Sequence, residues 1–286
     1  MVAHTVDIID ASFDKYFSTE YTLSILIGMD SFFYFIEDIH ANALVLKHIP
    51  FDKDIDDALG GKDLALQKVL MTEKFLQLPY AKVNICYSST KFTIVPEEIF
   101  NKHHLKSYLS QVTRVQDDQT ISMCRLSKLD ATIVYSVEKT VMDVAKSYFP
   151  GAMHLHIISP LIMQAHQYVR NHKGHQVFIH VGNGILGIVL FRGTSLQLAN
   201  TFCYETNQDF LYHTLLIYDQ FKLNSETVPV ILTGRVQKKS ELYELLQTYI
   251  RNIQFKQSPS YYHYGPSFQD VNFHFYQDLL SIKLCV

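Results

Sequence analysis

Residues 177–202 read VFIHVGNGILGIVLFRGTSLQLANTF, and this stretch decides the fold. It is broken at two points, Gly182-Asn183-Gly184 and Arg192-Gly193, into three runs rich in β-branched, leucyl and aromatic residues. Such side chains pack well on a pleated surface, so the runs read as strands. Glycine and asparagine accept the backbone angles that tight hairpins need. The reading is three consecutive strands, over 176–181, 185–191 and 195–204.

Downstream the apolar period lengthens. Phe210, Thr214, Ile217 and Phe221 share one stripe of a helix expected over 207–223. A strand follows over 228–233, then a helix over 239–250 with Leu242, Leu245, Leu246, Tyr249 and Ile250 on one face, then a strand over 253–256. Residues 257–270 are rich in Pro, Ser and Tyr and read as a loop. The cluster Tyr261, Tyr262 and Tyr264 is either a contact site for a partner or a loop packed on its own domain. A last helix is expected over 273–286.

The first half opens the same way. Residues 21–29, 31–39 and 44–49 read as strands, 52–61 as an acidic loop, and 62–78 as a helix stopped by Pro79. Residues 81–129 mix short strands with a helix over 96–109, and a small α+β insertion is expected at about 91–129. Alternation then resumes with a strand over 131–137, a helix over 139–148, a strand over 153–158 and a helix begun by Ser159-Pro160 as N-cap and first turn. Three strands, a helix, a strand, a helix and a strand thus occur in both halves, once the insertion is set aside. Hairpins followed by strand–helix crossovers make a mixed sheet with helices on its faces. The expected fold is α/β, with two domains over 1–158 and 159–286, each built on a mixed five-stranded sheet.

The totals agree with this. A chain of 286 residues makes about two domains at ~150 residues each. A composition 48% apolar and 19% charged can bury a core in each. A formal charge of −3 gives no basic face for nucleic acid. No run reaches the ~18 apolar residues that span a bilayer, and residues 1–21 lack a secretory pattern, so the expected location is the cytoplasm. Cys86, Cys124, Cys203 and Cys285 are far apart, which argues against a disulfide framework or a zinc site. His154 with His156, and His172 with His175, lack the carboxylate or thiolate spacing that completes a ligand set. No nucleophile elbow and no P-loop is present.

Two ribonuclease-H-like units in tandem are the architecture of the actin-like ATPases. Within them the chain resembles the bacterial cell-division actin homologue and the assembly proteins of type IV pili and type II secretion. Residues 177–202 resemble their second phosphate loop with its strands, and 139–169 the elements before it. The resemblance covers about 20–256. The chain is also identified as a member of an uncharacterised bacterial family, a domain of unknown function, with this fold.

The resemblance implies ATP and magnesium as the cofactors of an active member, with two hairpin turns around the phosphates and an Asp beside each. The first turn would be Gly28-Met29-Asp30-Ser31, where the family has Asp-x-Gly-Thr/Ser. Here Gly and Asp are exchanged and only Ser31 matches. The second would run from His180 through Gly182, Asn183 and Gly184, with His180 in place of the Asp. The adenosine segment would be Thr233-Gly234-Arg235, with Arg235 in place of a second Gly. Asp30, Ser31, Gly182, Asn183, Gly184, Thr233, Gly234 and Arg235 are therefore the candidate nucleotide residues, and no catalytic residue is assigned. The replacements favour a non-catalytic interaction or assembly protein whose partner is another protein. An ATP-binding protein or slow ATPase, and a small-molecule kinase, are the alternatives.

Overall fold

Alternation along the chain writes the first sheet. In the computed structural model, which describes residues 6–51 and 61–286, the first unit comprises Met1–Ile157 and Ser260–Val271. The acidic loop expected over 52–61 lies outside the described residues except for Gly61. The elements are β1 (Asp7–Ile9), β2 (Thr22–Ile27), β3 (Ser31–Glu37), β4 (Asn42–Pro50), α1 (Lys62–Thr72), β5 (Lys82–Tyr87), β6 (Phe92–Pro96), α2 (Leu105–Ser110), β7 (Gln119–Leu126), β8 (Ala131–Glu138), α3 (Lys139–Tyr148) and β9 (Met153–His156). The main sheet runs β1-β4-β3-β2-β5-β9. Its hairpins β2–β3 and β3–β4 are antiparallel, whereas β2–β5 and β5–β9 are parallel. Phe32 and Tyr34 on one face of β3, and Phe35 on the other, are all fully buried, so both faces of the sheet are covered. Four of its strands, β2, β3, β4 and β9, are among the five expected; the fifth is β5, and two short strands extend the sheet.

The insertion differs from expectation in two respects. Sequence alone places 131–137 in the main sheet, but Ala131–Glu138 is the middle strand of a separate sheet, β6-β8-β7. The main-sheet strand is Lys82–Tyr87. A strand buried on both faces carries no mark of which sheet it joins. The expected helix over 96–109 is two 3₁₀ turns, Glu97–Ile99 and Lys102–His104, followed by α2. Val95, Leu109 and Val134 form the small core between α2 and its sheet. His156, fully buried, packs its ring against Phe92 (centroids 4.8 Å apart) and Tyr135 (5.3 Å). Its Nε2 lies 2.9 Å from the Ser89 carbonyl, to which it donates as a neutral ring.

The second unit comprises Ile158–Pro259 and Asn272–Val286. Its elements are α4 (Ile158–Val169), β10 (His175–Val181), β11 (Ile185–Arg192), β12 (Ser195–Cys203), α5 (Asn207–Gln220), β13 (Val230–Gly234), α6 (Glu241–Gln247) and β14 (Ile253–Phe255). The sheet runs β12-β11-β10-β13-β14, antiparallel through the meander and parallel between β10, β13 and β14. Phe210 and Ile217 of α5 and Leu246 of α6 cover one face over Val177, Ile179, Ile188 and Leu232. Thr206 caps α5: its hydroxyl accepts from the Asp209 amide (3.1 Å), and Asp209 answers at the Thr206 amide (2.9 Å). On the other face Leu161 of α4 lies so near Gly187 that a Cβ there would meet it at 2.9 Å. This helix begins at Ile158, so Ser159 and Pro160 sit within its first turn.

Two segments near the end depart from expectation. Residues 260–271 return to the first unit, where β15 (His263–Tyr264) lies parallel to β4. Tyr262 is buried there, its ring 4.8 Å from Phe35, so the tyrosine cluster packs on its own unit. The helix expected over 273–286 is three short pieces, a 3₁₀ turn Phe273–Tyr276, α7 (Gln277–Leu280) and a 3₁₀ turn Ser281–Cys285. Leu279, Leu280 and Ile282 are buried, and this segment packs on α4. Among the described residues no helix is long and apolar enough to cross a membrane.

Candidate functional site

In the second unit the candidate residues meet at the carboxyl ends of β10 and β13, which are parallel neighbours with His180 beside Thr233 and Val181 beside Gly234. Gly234 has φ +83°, and an added Cβ would lie 2.3 Å from the Val181 carbonyl oxygen. Only glycine lets the chain turn so close to β10. The Arg235 amide then donates to the Val181 carbonyl (2.6 Å).

The turn at Gly182-Asn183-Gly184 is a closed hairpin. The Gly182 amide donates to the Ile185 carbonyl (2.8 Å), and Gly184 takes φ +68°. Tyr204 binds the turn twice: its amide donates to the Gly184 carbonyl (3.1 Å) and its hydroxyl to the Gly182 carbonyl (2.7 Å). Burial raises the Tyr204 pKa, partly offset by the nearby Arg235 guanidinium.

His180 has partners on both ring nitrogens. Nδ1 is 3.1 Å from the Thr233 hydroxyl and Nε2 is 3.2 Å from Asp278 Oδ2. With the proton on Nε2, the ring donates to the carboxylate and accepts the hydroxyl. The order acid, imidazole, hydroxyl is that of a nucleophile row, but Thr233 is 3% exposed, so no substrate reaches its oxygen. The row fastens the segment around α7 to the sheet. His274 adds a bond from Nε2 to the Val236 carbonyl (2.8 Å), and Gln277 one from Nε2 to the Gln257 carbonyl (2.9 Å). Burial lowers the His274 pKa and pushes Tyr276, which lies near Arg235, up to about 12. Residues 273–278 thus close over the carboxyl ends of β10 and β13. Sequence reading finds none of Tyr204, His274 or Asp278, because nothing in FHFYQDLL marks it as a neighbour of His180.

Asp278→Ala is expected to lower stability by about 1–3 kcal/mol, because it leaves a buried ring donor without its acceptor. Urea unfolding checks this, and an unchanged midpoint would show that the contact does not hold the segment.

The donors of this half do not fit magnesium. A hard cation takes oxygen ligands, whereas His180 offers nitrogen and both its nitrogens are engaged. The nearby carboxylate, Asp278, gives Oδ2 to the imidazole and Oδ1 to the Leu279 amide (2.9 Å). Among the described residues, no group of three or more His, Cys, Asp or Glu is arranged to hold a metal ion.

Asp30 and Ser31 lie in the first unit, at the turn between β2 and β3. The Ser31 hydroxyl, buried, donates to Asp30 Oδ1 (2.8 Å). The Gly28 amide donates to the Ser31 carbonyl (2.8 Å), and the Asp30 carbonyl accepts from Phe51 (2.8 Å). These bonds close a local turn.

The family model described as "Protein of unknown function (DUF3822)" matches residues 10–253. The chain belongs to the DUF3822 family. Among solved structures, this DUF3822 chain is similar to a Bacteroides thetaiotaomicron protein with an actin-like ATPase fold and unknown function (24% identity, TM-score 0.79, covering 86% of this chain and 94% of that one). It is also similar to a chain of the PilM–PilN type IV pilus biogenesis complex (10% identity, TM-score 0.62, 93% and 98% covered). A third is the ethanolamine utilization protein EutJ from Carboxydothermus hydrogenoformans (11% identity, TM-score 0.51, 98% and 93% covered). A comparison with curated proteins gave no match. The DUF3822 chain therefore has an actin-like ATPase fold.

Proposed function

We propose that this DUF3822 chain is a non-catalytic actin-like protein that acts through contact with other protein, its second phosphate-loop position turned to a structural use. The observation that carries this is the His180–Asp278 contact. Where a nucleotide-binding relative has an Asp for magnesium, this chain has an imidazole held by its own carboxylate, 3.2 Å away. The Gly182–Gly184 turn is likewise bound by Tyr204. Support for a role in assembly comes from the PilM–PilN complex, a protein complex of pilus biogenesis in which one chain has this fold. The wide spacing of Cys86, Cys124, Cys203 and Cys285 along the sequence favours a reducing, cytoplasmic setting.

Thermal unfolding with and without millimolar Mg·ATP tests the reading. A ligand at 100 times its Kd adds about 2.7 kcal/mol to the native state, which is a Tm shift of several degrees. The expected shift is under ~1 °C. A rise of several degrees would establish nucleotide binding and overturn the proposal.

A further inference from the structure

No Asp or Glu occurs between Asp143 and Glu205, the longest such gap in a chain that holds 28 of them. The gap contains the whole of α4, β10, β11 and β12. In the second unit the acids gather on one layer: Asp209 and Asp219 on α5, Glu241 and Glu244 on α6, with Glu205 and Glu226 in the connections beside α5. Asp278 is the exception, and His180 holds it. The acidic layer keeps cations of its own, Lys222 at 3.1 Å from Asp219 and Arg251 at 3.1 Å from Glu226.

The cations around the carboxyl end of α4 have no such partners. Arg170, His172 and Lys173 are exposed where the chain leaves the helix, and Arg192 is exposed at the end of β11. The two turns adjoin, because the Gly193 amide donates to the Gly174 carbonyl (2.8 Å) and His175 stands beside Arg192 in the ladder. Lys256 joins them through Tyr168, whose ring lies under its ammonium (4.7 Å) and stacks on His172 (4.2 Å). Among the described residues, none of Arg170, Lys173, Arg192 and Lys256 makes an ion pair. The negative end of the α4 dipole accounts for cations on its own last turn, where His172 Nδ1 donates to the Tyr168 carbonyl (2.8 Å). It does not account for Arg192, which belongs to β11.

We propose that this face docks an acidic segment of a partner protein, whose carboxylates meet Arg170, Lys173, Arg192 and Lys256. That the partner is protein rests on the function proposed above; that it is acidic rests on this face alone. The planar fork of arginine pairs bidentately with a carboxylate, and neither fork here is spent within the chain. Nucleic acid asks for a basic domain with cations along a stripe or helix. A lipid surface asks for exposed apolar side chains among the cations. The large apolar side chains exposed in this unit are Tyr212, Tyr249 and Val286, and none belongs to these turns.

Fluorescence anisotropy of a fluorescein-labelled peptide of alternating Glu and Ser, titrated with the full chain in the absence of nucleotide, tests this. In about 50 mM NaCl the expected Kd is about 10–100 μM, weakening at least roughly tenfold in about 500 mM NaCl. Arg170→Ser, Lys173→Ser and Arg192→Ser together are expected to weaken binding at least roughly tenfold with Tm unchanged, since all three side chains are exposed. Lys222→Ser with Arg251→Ser, on the acidic layer, should change binding by less than about twofold. No binding up to ~1 mM, equal weakening by the two sets of variants, or tighter binding to oligo(dT) or to phosphatidylserine vesicles than to the peptide would each overturn the proposal. A preference for oligo(dT) or vesicles would also remove the protein partner proposed above, whereas absence of binding leaves that reading standing.

Discussion

Alanine at position 234 is expected to destabilise the second unit by on the order of 4 kcal/mol, and alanine at position 174 by only about 1 kcal/mol. Both glycines have similar left-handed angles, φ +83° and φ +88°. A Cβ in that region costs about 1–2 kcal/mol from its own backbone. The surroundings separate the two sites. At Gly174 an added Cβ meets nothing within 4 Å. At Gly234 it meets three backbone atoms of Val181, at 2.3, 2.8 and 2.9 Å. Those atoms belong to β10 in the middle of the sheet and cannot swing aside as a side-chain tip would. Relief requires β13 to part from β10, which breaks the Arg235–Val181 bond and loosens the His180–Thr233 contact. Urea denaturation of the two variants beside wild type measures the difference. Equal losses would show that the close approach of the two strands is not real.

Acidification acts through the first unit. Full burial drives the His156 pKa down to about 3 from an ordinary value of 6.5, although its bond to the Ser89 carbonyl pulls the other way. The folded state therefore refuses a proton that the unfolded state takes up below pH 6.5. Stability from this residue is complete above pH 6.5 and is lost as pH falls toward 3, at about 1.4 kcal/mol per pH unit. By pH 5 the loss from His156 alone is about 2 kcal/mol. His154 and His274, also lowered by burial, act in the same direction. His156→Gln keeps an amide donor for Ser89 and removes the titration. Its stability deficit against wild type at pH 7.5 should shrink by about 2 kcal/mol at pH 5. A deficit that stays constant between those pH values would mean that the imidazole is not held neutral.

How far the fold could be read in advance depended on whether a signal was local. The hairpins β2–β3–β4 and β10–β11–β12 were legible because aromatic and β-branched runs stop at short glycine, asparagine or aspartate turns. Helix ends were less so. The helix expected over 239–250 spans Glu241–Gln247, because Ser240 caps it, its hydroxyl accepting from the Tyr243 amide (3.3 Å). Lys239 takes φ +67°, outside any helix. What joins to what was not legible. Ala131–Glu138 reads equally well in either sheet, since every residue from Ala131 to Val137 is buried. At the candidate site, the replacement of an expected acid by His180 was visible in the sequence. The reason His180 is tolerated, Asp278, was not, because the contact crosses a long sequence separation and α7 is too short to have a period.

The return of residues 260–271 to the first unit also has a meaning for birth on the ribosome. Synthesis is vectorial, and domains generally mature in the order in which they emerge. Here the first unit stays unfinished until residue 264 has been made, since Phe35 and Glu37 wait for Tyr262, and β4 for β15. Meanwhile the strands from β10 to β14 can already assemble. The second unit is completed later still, since Asn272–Val286 belongs to it, and a nascent chain paused before residue 260 leaves Phe35 without its contact to Tyr262.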